Sequence, residues 1–329
     1  MKNPADYSSL GPDQILEAVE SQGFPVDGRL LEMNSFENRV YEVGLVEGSP
    51  IIVKFYRPNR WGEAAIREEH AFSLSLAEQE IPLVPPLKGP TGDTLFASCG
   101  YRYALFQRRG GRPPDFESQD QLRQLGRFVG RLHAVGRERP YQHRPALNDQ
   151  TFGSDCSAFL LENDFIPSEL RQVYESLSTD LMQRVHWCYE RCPNLTLIRT
   201  HGDCHRGNIL WTDQGVHIVD MDDSRMAPAV QDLWMFLAGA RDEQETSLRW
   251  LLEGYVEFSD FNPAELHLIE ALRTLRLIHY FAWIARRWTD PAFPRAFPWF
   301  NTTRAWEQHI LDLREQAALM DEPALVWHG

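Results

Sequence analysis

The sequence predicts an α+β protein in two lobes, a small β-rich N-lobe over residues 1–107 and a larger, mainly helical C-lobe over residues 108–329. Three observations predict it. Runs of β-branched and aromatic residues cluster before residue 107, the strongest being Ile51-Ile52-Val53-Lys54-Phe55-Tyr56. Arg108-Arg109-Gly110-Gly111 then breaks the pattern, and from Gln121 onward apolar residues recur at helical steps. The chain has 329 residues, 43% of them hydrophobic, enough to bury a core in each lobe.

Residues 12–23 open with Pro-Asp and close at Gly23, which predicts a capped amphipathic helix. Strands are expected at 28–34 and 39–45, and a turn at 47–50 leads into the Ile51 run, which Arg57-Pro58-Asn59-Arg60 ends. A long helix follows at 61–78, with Ile66, Phe72 and Leu76 among its apolar positions, and the Pro-rich stretch 81–86 stops it. Short strands at 94–98 and 101–107 complete the small lobe. In the second lobe, residues 121–135 put Leu122, Leu125, Val129 and Leu132 on one stripe. Ile209-Leu210 and 216–219 bracket a turn at 212–215, predicting a β-hairpin. A short helix at 233–237 is expected with Asp232 as its N-cap, bracing the loop at 201–208. Further helices are expected at 245–258 and 264–288, the latter with Leu268, Leu272, Leu275, Ile278, Ala282 and Ala285 facing inward. There is no internal repeat and no low-complexity tract.

Formal net charge is −14, from 33 basic and 47 acidic side chains, without any long Lys/Arg block, which argues against nucleic acid as a main partner. The five cysteines are an odd number, and the opening Met-Lys-Asn-Pro-Ala-Asp is too polar for a signal peptide; free thiols in a reducing cytoplasm are expected. Cys188 and Cys192 lie near His186 but lack a second pair, and read as helix thiols rather than a metal cluster. No apolar run approaches the roughly 18 residues of a membrane helix, so the protein is expected to be soluble.

Residues 201–211 read His-Gly-Asp-Cys-His-Arg-Gly-Asn-Ile-Leu-Trp, followed by His217-Ile-Val-Asp220. Asp203 is a candidate base, Asn208 a neutral oxygen ligand and Asp220 a carboxylate closing an apolar strand. Phosphoryl transfer from Mg·ATP needs that set: one acid for the acceptor hydroxyl, and an amide oxygen with a second acid to hold Mg²⁺ on the phosphates. The hairpin draws Asn208 and Asp220 together. Chelation by His201, Asp203 and His205 would leave Asn208 and Asp220 unexplained, and His201 reads as a packing strut. Asp222 and Asp223 read as exposed turn acids, with help to a second metal as the alternative.

Lys54 stands in an otherwise apolar strand upstream of this loop, where a kinase needs a cation on the α- and β-phosphates. Its rotamer entropy calls for an acidic tether from the following helix. Glu69 is preferred because it lies three and seven residues before Phe72 and Leu76; Glu68 is the alternative, and the one not used reads as a solvated acid. There is no Gly-x-Gly-x-x-Gly, and Asn34-Ser35-Phe36-Glu37-Asn38-Arg39 stands between the first two strands instead. Backbone N–H groups of that turn and the Ser35 hydroxyl are candidates for ATP phosphates. Backbone groups after Leu105-Phe106-Gln107 are expected to meet adenine.

The spacing His-Gly-Asp-x-His-x-x-Asn with a strand-terminal Asp resembles the aminoglycoside phosphotransferase and choline kinase superfamily, which implies a bilobal protein kinase-like fold. The runs 34–41, 53–58, 201–211, 228–234 and 288–294 further resemble the bacterial stress response kinase A (YihE/RdoA) family across nearly the whole chain. That resemblance implies a cytoplasmic, monomeric Ser/Thr protein kinase that autophosphorylates and acts in stress survival. It also implies that Asp203 and Asp220 are the catalytic and metal acids, Asn208 a magnesium ligand and Ser35 part of the ATP site. Protein as acceptor comes from the resemblance alone. A small-molecule O-kinase and a non-catalytic ATP-binding scaffold are the competing readings. Only eleven residues separate Asp220 from Asp232, too few for a long phosphorylatable activation loop. Acceptor choice would then fall to the helical lobe, with the aromatic-rich stretch 283–300 as a candidate that reads better as core.

Overall fold

The computed structural model describes residues 7, 9–116, 118–213 and 215–328, and the chain divides into two compact units. The first comprises Met1–Asp115, Tyr141–Arg144 and Arg206–Ser224; the second comprises Phe116–Pro140, Pro145–His205 and Arg225–Gly329.

The first unit is built on a five-stranded antiparallel sheet in the order β1-β2-β3-β5-β4. Its strands are β1 (Val26–Glu32), β2 (Arg39–Leu45), β3 (Ile51–Phe55), β4 (Phe96–Ser98) and β5 (Tyr101–Gln107). Alternation along β3 sorts its side chains. Ile51, Val53 and Phe55 join Val43, Tyr103 and Leu105 in a core closed by Ile15, Ala18 and Val19 of α1 (Pro12–Glu20). Lys54, one residue out of phase, faces the other way. It is paired in register with Val40 and Ala104. Ala104 packs with Tyr56, Leu95 and Ile66, the last from α2 (Glu63–Glu78).

The same unit contains the expected hairpin, β7 (Ile209–Thr212) with β8 (Gly215–Ile218), in register Ile209↔Ile218. Backbone bridges Leu83↔Ile218 and Arg112↔Trp211 attach it to neighbouring chain of the same unit.

The second unit is helical, apart from the two-stranded pair β6 (Ile198–Thr200) and β9 (Arg225–Ala227). Its helices are α3 (Gln119–Gly136), α4 (Asp155–Glu162), α5 (Ser168–Glu190), α6 (Arg241–Tyr255), α7 (Ile269–Arg286), α8 (Ala292–Ala296) and α9 (Thr303–Asp321). Helices α3 and α6 pack backbone to backbone: a Cβ at Gly126 would strike Leu251 O, and one at Gly254 would strike Arg123 O. Only glycine allows that approach. Phe281, Phe300 and Trp306 form an aromatic core with His309, whose ring stacks on Phe281 at 3.7 Å between centroids.

Antiparallel sheet plus a larger helical part is the predicted α+β class. Two local expectations are corrected. Residues 233–237 are not a helix but part of consecutive 3₁₀ turns, Ala229–Asp232 and Trp234–Phe236, so Asp232 ends a turn instead of capping a helix. The helix expected over 264–288 begins as a 3₁₀ turn at Pro263–Leu268, and the α-helix proper is α7. Among the described residues no helix is long and apolar enough to cross a membrane.

Candidate active site

A cavity of about 400 Å³ in the first unit is lined by Ser35, Lys54, Glu69, Asn208 and Asp220 together with the apolar Phe106. Ile52, Val84 and Leu210 add apolar wall, the kind of surface a planar aromatic base packs against. Five of the six site residues expected from sequence thus line one space. A larger cavity, about 700 Å³, in the helical unit contains none of them.

The hairpin explains how Asn208 and Asp220 reach the same space. Val219 N–H donates to Asn208 O at 3.1 Å, closing the ladder just beyond β7 and β8. Asp220 follows at φ 65° and ψ 68°, a left-handed conformation that Asp tolerates better than most residues but that costs energy. Its side chain is 50% exposed, while that of Lys54 is 11% exposed, and Lys54 Nζ donates to Asp220 Oδ1 at 2.6 Å. Burial works against the lysine charge, but Asp220, Asp222 and Glu69 outweigh it and raise its pKa. An amide oxygen and a carboxylate on the two ends of one hairpin are hard donors of the kind Mg²⁺ takes, with phosphate and water oxygens completing its shell. Asn208 and Asp220 fit that role.

The tether differs from expectation. The ion pair of Lys54 goes to Asp220, while buried Glu69 accepts a hydrogen bond from Ser73 Oγ at 2.8 Å. Glu69 remains part of the field around Lys54. Glu68 is no idle solvated acid. It accepts backbone N–H bonds from Gln142 (2.5 Å), His143 (2.9 Å) and Arg144 (3.2 Å), fixing α2 to that segment.

The turn before β2 is pinned by side chains where other nucleotide covers use glycine. Arg57 Nε donates to Glu37 O at 2.9 Å and its Nη2 to Phe36 O at 3.0 Å. Asn38 accepts from Arg57 N–H and donates to Asp222, each at 3.1 Å.

Asp222, expected as an exposed turn acid, is 4% exposed. Burial alone would raise its pKa, but Arg60 and Lys54 hold it below the usual carboxylate range. Arg60 pairs with both Asp222 and Asp223. Buried Arg144 donates to the carbonyls of Asp222 and Ser224 at 2.7 Å each, and to Ala65 O at 2.9 Å. Sequence reading missed Arg60 and Arg144. Their isolated positions give no local pattern, although Arg60 belongs to the strand-breaking Arg57–Arg60 run.

Asp203 belongs to the helical unit. Its loop hangs on Asp232, which accepts from His201 N–H at 2.6 Å and Gly202 N–H at 2.9 Å, with His133 Nε2 3.0 Å away. The bracing expected of Asp232 is therefore made directly on the loop. Gly202 has φ +83°, which suits glycine, and His201, fully buried, accepts from Asp203 N–H through Nδ1 at 3.3 Å. The Asp203 carboxylate meets Arg276 Nη1 of α7 and lies 3.4 Å from His205 Nε2. Arg276 was not foreseen: it stands between the inward apolar positions Leu275 and Ile278 of α7, and nothing in its neighbours marks it.

Of the aromatic stretch 283–300, Phe293, Phe297 and Phe300 are core, whereas Trp299 is 41% exposed.

The sequence profile of the Phosphotransferase enzyme family matches residues 30–269. Stress response kinase A of Salmonella choleraesuis (strain SC-B67) is 41% identical over 323 residues, covering 98% of this chain and 97% of that protein. Serine/threonine protein kinase RdoA of Salmonella typhimurium (strain LT2) has the same identity and coverage, 41% over 323 residues, 98% and 97%. Among solved structures, a microcompartment-associated aminopropanol kinase aligns with TM-score 0.69 at 18% identity, covering 93% of this chain and 96% of that one. Amicoumacin kinase hAmiN, in complex with AMP-PNP and Ca²⁺, aligns with TM-score 0.67 at 17% identity, covering 91% and 93%. These two share the bilobal kinase-like fold.

Proposed function

The chain belongs to the Phosphotransferase enzyme family, and from that premise we propose that it is a Ser/Thr protein kinase. In this reading it moves the γ-phosphoryl group of Mg·ATP to protein hydroxyls, its own included, in a bacterial stress response. It works as a cytoplasmic monomer, with residues 1–107 as an N-lobe that covers ATP and 108–329 as a C-lobe that carries the catalytic and metal loops and the acceptor site. The observation that carries the phosphotransfer is the cavity shared by Lys54, Asn208 and Asp220. The protein acceptor rests on the relatives named stress response kinase A and serine/threonine protein kinase RdoA.

Lys54 neutralises phosphate charge, and Ser35 with its turn hydrogen-bonds phosphate oxygens. Asn208 and Asp220 would hold Mg²⁺, which would supply positive charge against the phosphates. Glu69 keeps the site's charge balanced around Lys54. Asp203 accepts the proton of the acceptor hydroxyl as its oxygen bonds to the γ-phosphorus; the bond from that phosphorus to the β–γ bridging oxygen breaks, and ADP leaves with that electron pair. Asp232 orients the Asp203 loop.

A small-molecule O-kinase is the second reading, favoured by the likeness in fold to an aminopropanol kinase and an amicoumacin kinase. One experiment separates the two. Purified protein is given labelled Mg·ATP alone, with generic protein acceptors, and with choline, homoserine and aminoglycosides. Label on protein that disappears in Asp203→Asn is expected. Turnover confined to one small alcohol would overturn the protein-kinase reading, and nucleotide binding without turnover would leave only a scaffold.

A further inference from the structure

As the proposed proton acceptor, Asp203 must stand beside a hydroxyl whose oxygen is closing on a phosphoryl group. Carboxylate and phosphoryl are both negative, and like charges at such range repel strongly wherever water is thinned out. A cation held on the carboxylate would offset that repulsion. Within the helical unit such a cation is present. Arg276, in the middle of α7, donates from Nη1 to Asp203 Oδ1, while Oδ2 lies 3.4 Å from Nε2 of His205 in the loop itself. A carboxylate offers about four lone-pair sites, so neither contact removes its capacity to take a proton.

The fold fixes this contact from two sides. Leu275 and Ile278, which flank Arg276, are fully buried, and that sets the direction in which position 276 points. Three residues earlier, Arg273 pairs with Glu270 at 3.2 Å and lies 5.4 Å over the ring of Trp234. Trp234 Nε1 donates to Gln231 Oε1 at 3.2 Å, and Gln231 Nε2 donates to Gly202 O at 2.9 Å. Two neighbouring arginines of α7 thus reach the loop at 201–203, one on the carboxylate itself and one through an indole and an amide. Stability does not account for Arg276. Its side chain is 43% exposed and that of Asp203 25%, and ion pairs so open to water add little to folding.

We propose that Arg276 is a positioning residue of the phosphoryl transfer. It aims the Asp203 carboxylate at the acceptor hydroxyl and offsets its charge against the phosphoryl group. The inference deepens the kinase reading and rests on it, whether the acceptor is a protein or a small alcohol. Because the benefit grows as charge gathers in the transition state, it shows in kcat and not in nucleotide binding. A lysine, a point charge on a flexible stem, restores the charge but aims the carboxylate less well.

The test uses the full chain with labelled Mg·ATP and the serine peptide or small alcohol that the wild type phosphorylates fastest. Arg276→Ala, which suits a helix interior, should lower kcat about 100-fold and change KM for Mg·ATP by less than about twofold. Its urea midpoint should match that of the wild type. Arg276→Lys should recover about a tenth of wild-type kcat. Millimolar guanidinium ion, far below denaturing levels, should raise kcat of Arg276→Ala about tenfold and leave the wild type unmoved, since a free ion replaces a charge but not a structural strut. Wild-type kcat in Arg276→Ala, or a loss confined to KM for Mg·ATP, overturns the inference while the kinase reading stands. A loss that neither lysine nor guanidinium restores makes Arg276 structural and overturns it as well. Faster transfer by Arg276→Ala would make the arginine a brake on the base, which also overturns it. Failure of the wild type to phosphorylate any acceptor removes the kinase reading and this inference together.

Discussion

Asp220 in the sheet unit is half exposed and has one ion pair, to Lys54, whereas Asp232 in the helical unit is fully buried and is met by two backbone N–H groups and an imidazole. Both are single carboxylates at the end of short segments, and from sequence both read as parts of one catalytic apparatus. Their surroundings divide the labour. A left-handed, accessible carboxylate facing a cavity is built to meet something that arrives. A dry carboxylate holding a loop is built to keep that loop in shape, and removing it strands its partners.

Substitutions can break this contrast or sharpen it. The largest effect is expected for Asp220→Ala, which should lower Mg·ATP turnover by about 100-fold or more while the fold persists; a variant retaining a tenth of wild-type activity would deny Asp220 its metal role. Asp232→Ala should reduce stability by about 3–5 kcal/mol, read from urea unfolding, and lower the rate as well. If its unfolding curve overlays the wild type, the assigned division is wrong. Gly126→Ala should cost about 1–3 kcal/mol, because a methyl group there strikes the Leu251 carbonyl of α6, with ATP turnover unchanged well below the melting temperature.

The last effect is one of pH, and it is small near neutrality. His309 is buried against Phe281, and burial alone lowers its pKa to about 3. The folded protein therefore keeps the ring neutral, while the unfolded chain takes up a proton near the ordinary pKa of about 6.5. Stability should be untouched above that value and decline as pH falls from about 6.5 towards 3, by roughly 1 kcal/mol per unit. His309→Leu should flatten this part of the profile; an unchanged difference between urea midpoints at pH 7 and pH 5 would contradict it.

Legibility followed the range of the interactions. Strand β3, helix α2 and the hairpin β7–β8 were readable because alternation, helical spacing and a turn are properties of neighbouring residues. Lys54 stood out because it interrupts an apolar strand, and Asn208 and Asp220 because of their spacing after Asp203 around a hairpin. Glu68 was misread because its partners are backbone groups at residues 142–144, which no side-chain pattern announces. Asp222 was misread because its counter-ion, Arg60, lies 162 residues earlier. Asp232 was assigned the right duty by the wrong means, since a carboxylate before an apolar run suggests capping whether or not a helix follows. Helices α4, α5 and α9 were covered only by a general helical expectation, their apolar positions being too mixed to set boundaries.

Glu68 has one more effect. In eukaryotic protein kinases the corresponding helix is a lever whose swing assembles or dismantles the nucleotide site. Here three main-chain hydrogen bonds, with the Arg144 bond to Ala65 O, bolt that lever to its own unit. A helix so fastened travels with residues 142–144, and shifting it within its unit means giving up three charge-assisted hydrogen bonds at once.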